Sequence, residues 1–166
     1  KCGDYSFSGK LKINNIDCHV AIVADGVSTG LTDWLASQTA VYTIIDFLKT
    51  QNDTIDELIK SSIHSANQIL INGTENEKKL MNTLSILICD LTNCKIYYAN
   101  LGDSRIYGLH NGIWVQLTID DSRSEPLKIN GKTVLENGTP KFGSFLTNAV
   151  GDYRKNDVEV NKTDMN

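Results

Sequence analysis

The sequence predicts a layered α+β domain in which antiparallel sheets are flanked by helices. A strand and two amphipathic helices come first, and short strands rich in Ile, Tyr, Val and Leu follow between residues 83 and 117. Turn residues separate these short strands, which is typical of an antiparallel meander. Several strands are apolar at successive positions, so we expect helices on one face and a second sheet on the other. The predicted architecture is therefore an α-β-β-α sandwich with two antiparallel sheets.

Composition places the chain among folded globular proteins. Its 166 residues are 40% hydrophobic and 22% charged, and it is long enough to form a single domain over residues 1–166. The 16 basic and 20 acidic residues are scattered, which argues against nucleic acid or an anionic membrane as the main partner. We find neither a membrane-spanning run nor a signal peptide, and the four cysteines show no C-x-x-C spacing. We therefore expect a cytoplasmic protein with reduced thiols.

The first half of the chain predicts one strand and two helices. Residues 16–24 are strand-like, and their second part, 20–24, is an apolar run typical of a buried strand. Apolar residues recur at helical spacing over residues 31–49 and again over 55–71, so each helix should face the core. Thr54 and Glu57 have the spacing of a capping box, which predicts where the second helix begins.

The second half predicts the meander. Asn111-Gly112 is a strong hairpin signal, because both residues tolerate a positive φ. From residue 118 onward the sequence is polar and loop-like with room for a short helix, and a strand begins near Asp157. The predicted strands of the meander are 83–90, 95–101, 104–110 and 113–117.

Asp25 and Gly26 end the first predicted strand and admit two interpretations. An Asp-Gly pair after a strand commonly forms a turn, in which Asp binds local N–H groups and Gly adopts a positive φ. A carboxylate beside an exposed carbonyl also suits Mg²⁺ or Mn²⁺ at a strand end. Spacing alone leaves both open.

Two other kinds of phosphate site are excluded here. A P-loop needs a Gly-Lys-Ser/Thr ending, and no lysine lies between Asp25 and Lys49. A nucleophilic aspartate of the haloacid dehalogenase type would stand two residues before Asp25, where the chain has Val23.

A longer stretch indicates a family. Residues 97–122, "YYANLGDSRIYGLHNGIWVQLTIDDS", strongly resemble the segment "ANxGDSRxY…G…QLTxDHS" of the metal-dependent type 2C protein serine/threonine phosphatases, the PPM family. "VADGVSTG" at 23–30 is similar to the family's "VADGMGG", "GDYSF" at 3–7 to its "EDSF", and "SFLTNAVGD" at 144–152 to its "LTRALGD". These matches follow the family order along nearly the whole chain.

The resemblance implies a hydrolase that removes phosphate from Ser or Thr side chains of phosphorylated proteins. In this family two Mn²⁺ or Mg²⁺ ions, held by aspartates at the edge of a β-sandwich, share a water that attacks phosphorus in line. Carboxylates crowded in such a site repel one another without metal, so metal should stabilise the fold as well.

The resemblance also assigns site residues. Asp25 matches the aspartate that bridges both metal ions and so activates the water, and the Gly26 backbone carbonyl matches a further metal ligand. Asp4 matches the acidic position near the amino terminus, bound directly or through water.

The "GDSR" signature supplies Asp103, Ser104 and Arg105. We interpret Asp103 as structural, holding a turn or its neighbours Ser104 and Arg105; a direct metal role is the less favoured interpretation. Arg105 is expected to pair with Asp103 or another neighbour.

Two departures from the family pattern bear on activity. Ser28 and Thr29 replace the glycines that follow Asp-Gly in the family, and bulkier residues could narrow the approach to the metals. The "SDG" and "DN" motifs with the later aspartates do not appear before Asn166. We therefore expect an incomplete domain, with a catalytically inactive regulatory or binding domain as the alternative. Strand edges left without neighbours would favour self-association.

Overall fold

The computed structural model describes residues 2–27, 33–73, 80–153 and 157–165. It confirms the predicted α+β class, with two helices and antiparallel sheets in the described residues. The helices are α1 (Asp33–Thr50) and α2 (Ile55–Asn72). The strands are β1 (Asp4–Ile13), β2 (Ile16–Gly26), β3 (Asn82–Asp90), β4 (Lys95–Leu101), β5 (Tyr107–His110), β6 (Ile113–Gln116), β7 (Ser122–Pro126), β8 (Lys128–Ile129), β9 (Lys132–Thr133), β10 (Leu135–Glu136), β11 (Thr139–Pro140), β12 (Phe142–Leu146) and β13 (Val160–Asp164).

One five-stranded sheet organises the molecule, with strand order β1-β2-β3-β4-β13. Each neighbouring pair in it is antiparallel, and β1 and β2 form a hairpin through Asn14 and Asn15, which both adopt a positive φ. The other described strands pair in twos, as β5-β6, β7-β12, β8-β9 and β10-β11. Where the sequence predicts a second sheet, the described residues therefore contain separate strand pairs.

The core lies between one face of the main sheet and the two helices. Alternate residues of each strand point to opposite faces, so β2 presents Ile22 to the helices and Val23 to the other side. Ile22 is fully buried, whereas Val23 keeps 47% of its surface exposed. Neither helix is apolar enough over its length to cross a bilayer, within the part of the chain described.

Both predicted helices are confirmed within two residues at each end, and their buried residues form the predicted apolar faces. The predicted capping box is wrong. The Thr54 side chain makes no capping hydrogen bond, and the Thr54 N–H is bound instead by the Asp53 carboxylate at 2.7 Å. Glu57 forms an ion pair with Lys60 at 2.8 Å, so its carboxylate is engaged one turn further along the helix.

The four predicted strands are confirmed, with β5 beginning three residues later than predicted. They do not form one meander, because β3 and β4 belong to the main sheet whereas β5 and β6 form a separate hairpin. Its Asn111-Gly112 turn has φ angles of 50° and 79°, as a two-residue hairpin requires. Residues 118–147 contain short strand pairs instead of a helix. The four cysteines are free thiols, and burial raises the pKa of Cys18 to about 11, which makes that thiol a poor nucleophile.

Candidate active site

Asp4 and Asp25 lie directly opposite each other at the open end of the β1-β2 pair. The ladder continues one step further, where the Gly26 N–H donates to the Gly3 carbonyl at 3.2 Å. The Cys2 thiol donates to Asp4 Oδ2 at 3.4 Å. The register of the hairpin, set by the buried face of β2, therefore brings together two carboxylates that are 21 positions apart in sequence.

Asp25 is surrounded by negative charge. The pKa of its carboxyl group is raised to about 6, chiefly by loss of surrounding water and next by a hydrogen bond with the Asp4 carboxyl. The charges of Asp4, Asp103 and Asp33 act in the same direction. A hydrogen bond between two carboxyls requires a proton on one of them, so without a cation this site favours a protonated Asp25.

A tight cradle of backbone lies beside these acids. A Cβ atom added at Gly26 would meet the Asp33 carbonyl oxygen at 2.5 Å, so only glycine fits between β2 and the start of α1. A Cβ atom added at Gly3 would lie 3.8 Å from the Gly26 carbonyl oxygen and 3.9 Å from Asp33 Oδ2. The Ser37 hydroxyl fixes the arrangement, because it lies 2.6 Å from the Gly3 oxygen and 3.1 Å from the Asp33 carbonyl oxygen.

These donors fit the chemistry of a hard divalent cation. Two carboxylates, a backbone carbonyl and a further acid supply only oxygen atoms, which Mg²⁺ and Mn²⁺ prefer. Loss of water and the uncompensated neighbouring carboxylates together raise the pKa of Asp25, and a bound cation would lower it again. In the described part of the chain, no three acidic, histidine or cysteine side chains converge closely enough to hold a metal ion by themselves. Waters or further ligands would have to complete the coordination.

Asp33 is a candidate residue that the sequence analysis missed. It is the first residue of α1, where an acidic side chain is common because it complements the helix dipole. An acidic residue at this position therefore gives no sequence signal of a functional site. Asp33 lies near Asp25 because α1 packs against the end of β2. The segment 28–32, which contains Ser28 and Thr29, lies outside the described residues.

The "GDSR" residues have separate partners. Arg105 binds Asp120 rather than Asp103, with Nε 2.9 and 3.0 Å from the two carboxylate oxygens, and this lowers the pKa of Asp120. The Ser104 hydroxyl lies 2.6 Å from Thr83 Oγ1. Asp103 is exposed, and its charge contributes to the field at Asp25. Asp103 was expected to bind Ser104 and Arg105, but Ser104 contacts Thr83 and Arg105 binds Asp120.

No family model matches the chain. A serine/threonine phosphatase, stp, of Listeria innocua serovar 6a is 28% identical over 149 residues, which are 85% of this chain and 59% of that protein. The chain thus spans about three fifths of the length of that curated relative.

Solved structures give the same picture of the fold. The S. agalactiae serine/threonine phosphatase superposes with a TM-score of 0.72 at 16% identity, over 100% of this chain and 69% of that one. The Mycobacterium tuberculosis phosphatase PstP/Ppp gives 0.71 at 15% identity, over 100% and 68%. RsbX, solved in complex with magnesium, gives 0.60 at 18% identity, over 100% and 62%.

The chain has the fold of the PPM-family, type 2C phosphatases. The resemblance of the chain to serine/threonine phosphatases, predicted from the sequence, is confirmed. Within that fold, Asp4, Asp25 and Gly26 occupy one end of the first strand pair.

Proposed function

We propose that the whole protein containing this chain is a metal-dependent phosphatase that removes phosphate from Ser and Thr residues of phosphorylated proteins. The observation that carries the proposal is the direct opposition of Asp4 and Asp25, with the charges of Asp33 and Asp103 close by. Such a concentration of acids is unfavourable without cations, and phosphate transfer to water needs cations to neutralise phosphate oxygens.

The residues have distinct roles in this proposal. Two Mn²⁺ or Mg²⁺ ions, when bound, would supply Lewis-acid activation of water and neutralise charge on the phosphate oxygens. Asp25 and the Gly26 carbonyl would hold the ions, and Asp4 would hold them directly or through water. Ser37 positions the backbone of Gly3 and Asp33 through its hydroxyl. The ion pair of Arg105 with Asp120 stabilises the "GDSR" segment.

The test is hydrolysis of p-nitrophenyl phosphate by the full-length protein with Mn²⁺. We expect turnover that requires metal and falls by about 100-fold or more in Asp25→Asn, because the variant loses a charged ligand at the reacting centre. Asp46→Asn, which alters an exposed acid on α1, is the matched control and should keep full activity. Equal turnover in Asp25→Asn, or turnover in a chelator, would refute the mechanism.

Metal binding gives a second readout that does not depend on turnover. We expect Mn²⁺ to raise the thermal unfolding midpoint of the full-length protein, because a ligand that binds only the folded state stabilises it. The rise in the unfolding midpoint should be much smaller in Asp25→Asn than in the parent protein, and in Asp46→Asn it should equal that of the parent. An equal rise in all three proteins would place the ion elsewhere.

The second candidate is a phosphatase-like domain that regulates or binds a partner without hydrolysis. It is favoured by the lack of three converging metal-binding side chains in the described residues. A full-length protein that is folded and binds Mn²⁺ but leaves p-nitrophenyl phosphate intact would select this candidate.

We propose that the protein acts in the cytoplasm on phosphoproteins, with neither nucleic acid nor a membrane as its main partner. A net charge of −4 with scattered signs argues against nucleic acid or an anionic membrane as the main partner. We further propose that residues 1–166 belong to one domain. Limited proteolysis that left this stretch intact would support that assignment, and early cleavage inside it would oppose it.

A further inference from the structure

A polar cavity of about 350 Å³ lies on the main sheet, on the face turned away from the helices. Tyr98 and Asn161 are direct partners on β4 and β13, and they alternate with Ala99 and Val160, which pack on the helix side. The cavity is separate from the candidate active site, because its lining includes none of the four residues of that site, Asp4, Asp25, Gly26 and Asp33. Its lining includes Tyr98, Asp121, Asn148, Asp157, Glu159 and Asn161.

Asn148 in this cavity wall has an unsatisfied oxygen. The residue is only 3% exposed, and its Oδ1 has no hydrogen-bond donor among the described residues. Buried side-chain carbonyl oxygens nearly always accept a hydrogen bond, so the unsatisfied oxygen indicates that a donor belongs here.

The rest of the lining indicates the charge of that donor. Asp121, Asp157 and Glu159 are acidic, and the described lining contains no lysine, arginine or histidine. The Gly102 N–H donates to Asp121 Oδ2 at 3.3 Å, which holds that carboxylate in place. Tyr98 adds an aromatic ring, and cations bind favourably over such rings.

We propose that this cavity binds the guanidinium group of an arginine side chain. Guanidinium carries five N–H donors in a planar fork and no acceptor, so one group can reach an amide oxygen and separated carboxylates together. It also stacks on aromatic rings, which a compact and strongly hydrated ammonium does less well. A cavity of this size exceeds what a single ion needs and lies within the range of small-ligand sites.

A metal ion fits the cavity less well. Ligation by protein side chains needs several acids to converge on one point, and no three do so in the described part of the chain. Acids that are spread around a cavity are better matched by an extended cation with several donors.

The proposal is independent of the proposed function and is tested by binding alone. The ¹⁵N-labelled 166-residue chain is titrated with a blocked Gly-Arg-Gly peptide while the Asn148 side-chain amide and the Tyr98 backbone amide are followed by NMR. We expect saturable shifts with a Kd on the order of 1 mM. The same peptide with citrulline, which keeps the shape and removes the charge, should bind at least about 5-fold more weakly.

Variants locate the site. Asp157→Asn and Glu159→Gln change exposed acids, so the fold should tolerate them, and each should weaken arginine binding about 3-fold or more. Asn148→Leu removes the unsatisfied acceptor and should do the same. Asp164→Asn is the matched control, because it changes an exposed acid of β13 that does not line the cavity.

Three results would overturn the proposal: equal binding of arginine and citrulline, unchanged binding in both acidic variants, or shifts of the same signals by Mg²⁺ alone. The source of the arginine is a separate matter. If the peptide binds the 166-residue chain and also the full-length protein, the arginine comes from a partner. If the full-length protein excludes the peptide and already shows the bound signals, an arginine elsewhere in the protein occupies the cavity. Either result supports a guanidinium site.

Discussion

At the scale of single residues, Asp25 is where charge and backbone geometry meet. Its carboxyl lies opposite that of Asp4, and its pKa is raised to about 6 from an ordinary value near 3.8. The folded state therefore binds a proton at Asp25 more tightly than the unfolded state does. Its contribution to stability is greatest below about pH 4 and is lost as the pH rises through about 6.

This electrostatic cost can be removed by substitution. In the metal-free chain we expect Asp25→Asn to unfold at an equal or higher denaturant concentration than the parent at about pH 7.5, since Asn carries no charge to repel Asp4. The gain should be below about 1 kcal/mol, because the Asp25 carboxyl is only partly withdrawn from water and solvent still screens its charge. It should shrink towards about pH 4, where the parent carboxyl is protonated.

Denaturant unfolding of both proteins at the two pH values, with chelator present, measures this difference. Asp46→Asn, far from the acidic group in sequence and exposed on α1, controls for the general effect of removing one negative charge. A destabilised Asp25→Asn at about pH 7.5 would contradict the argument.

Gly26 tests the backbone side of the same site. We expect Gly26→Ala to destabilise the chain by about 1 to 3 kcal/mol, because the new Cβ would overlap the Asp33 carbonyl at 2.5 Å and force β2 away from α1. Gly3→Ala is the matched control, since its Cβ would meet Asp33 Cβ at a milder 3.2 Å. The unfolding midpoints of both variants are compared with that of the parent. A Gly26→Ala midpoint equal to those of Gly3→Ala and the parent would show that α1 can move to accommodate the new Cβ without loss of stability.

The sequence indicated Asp25 and Gly26 because they end an apolar run and match a family motif. Asp33 could not be found in the same way. Its place beside Asp25 depends on how α1 packs on β2, a contact that no local pattern contains. The separate partners of Ser104 and Arg105, Thr83 and Asp120, are also products of packing between distant segments.

At the scale of elements, the two faces of β2 differ sharply. Ile22 is fully buried under the helices and Val23 is 47% exposed on the opposite face. We therefore expect Ile22→Ala to cost about 2 to 5 kcal/mol in the free energy of unfolding and Val23→Ala less than about 1 kcal/mol. Urea unfolding of the two variants measures the contrast. Equal losses would mean that the other face of the sheet is covered in solution.

The elements also differ in how far the sequence predicted them. The two helices have long apolar stripes and were predicted nearly in full. The strand β1 was not predicted as a strand, although Tyr5, Phe7, Leu11 and Ile13 alternate with polar residues. The alternation is itself a strand signal, whereas the family motif covers only residues 3–7 and carries no information on the rest of β1. Strands β7 to β12 are mostly two to five residues long and exposed, so they have little apolar pattern to detect.

At the scale of the whole molecule, the main sheet has an open side. Its strand β1 has β2 as its one described neighbour, so the other side of β1 presents backbone donors and acceptors. Such edges pair with other chains unless they are protected, and Lys10 and Lys12 give β1 some protection by charge. We expect the 166-residue chain to self-associate weakly through this edge.

Amide exchange can locate that association as well as detect it. Between about 10 μM and about 300 μM protein, light scattering should report a rising mean mass. Over the same range, amide protons of β1 should exchange more slowly, because pairing with a second chain supplies new hydrogen-bond partners. Those of β3 should not change, since β3 already pairs with β2 and β4 on its two sides. A constant mass would contradict self-association. A rising mass with unchanged exchange in β1 would move the contact to the other edge strand, β13, or to the sheet face around Val23.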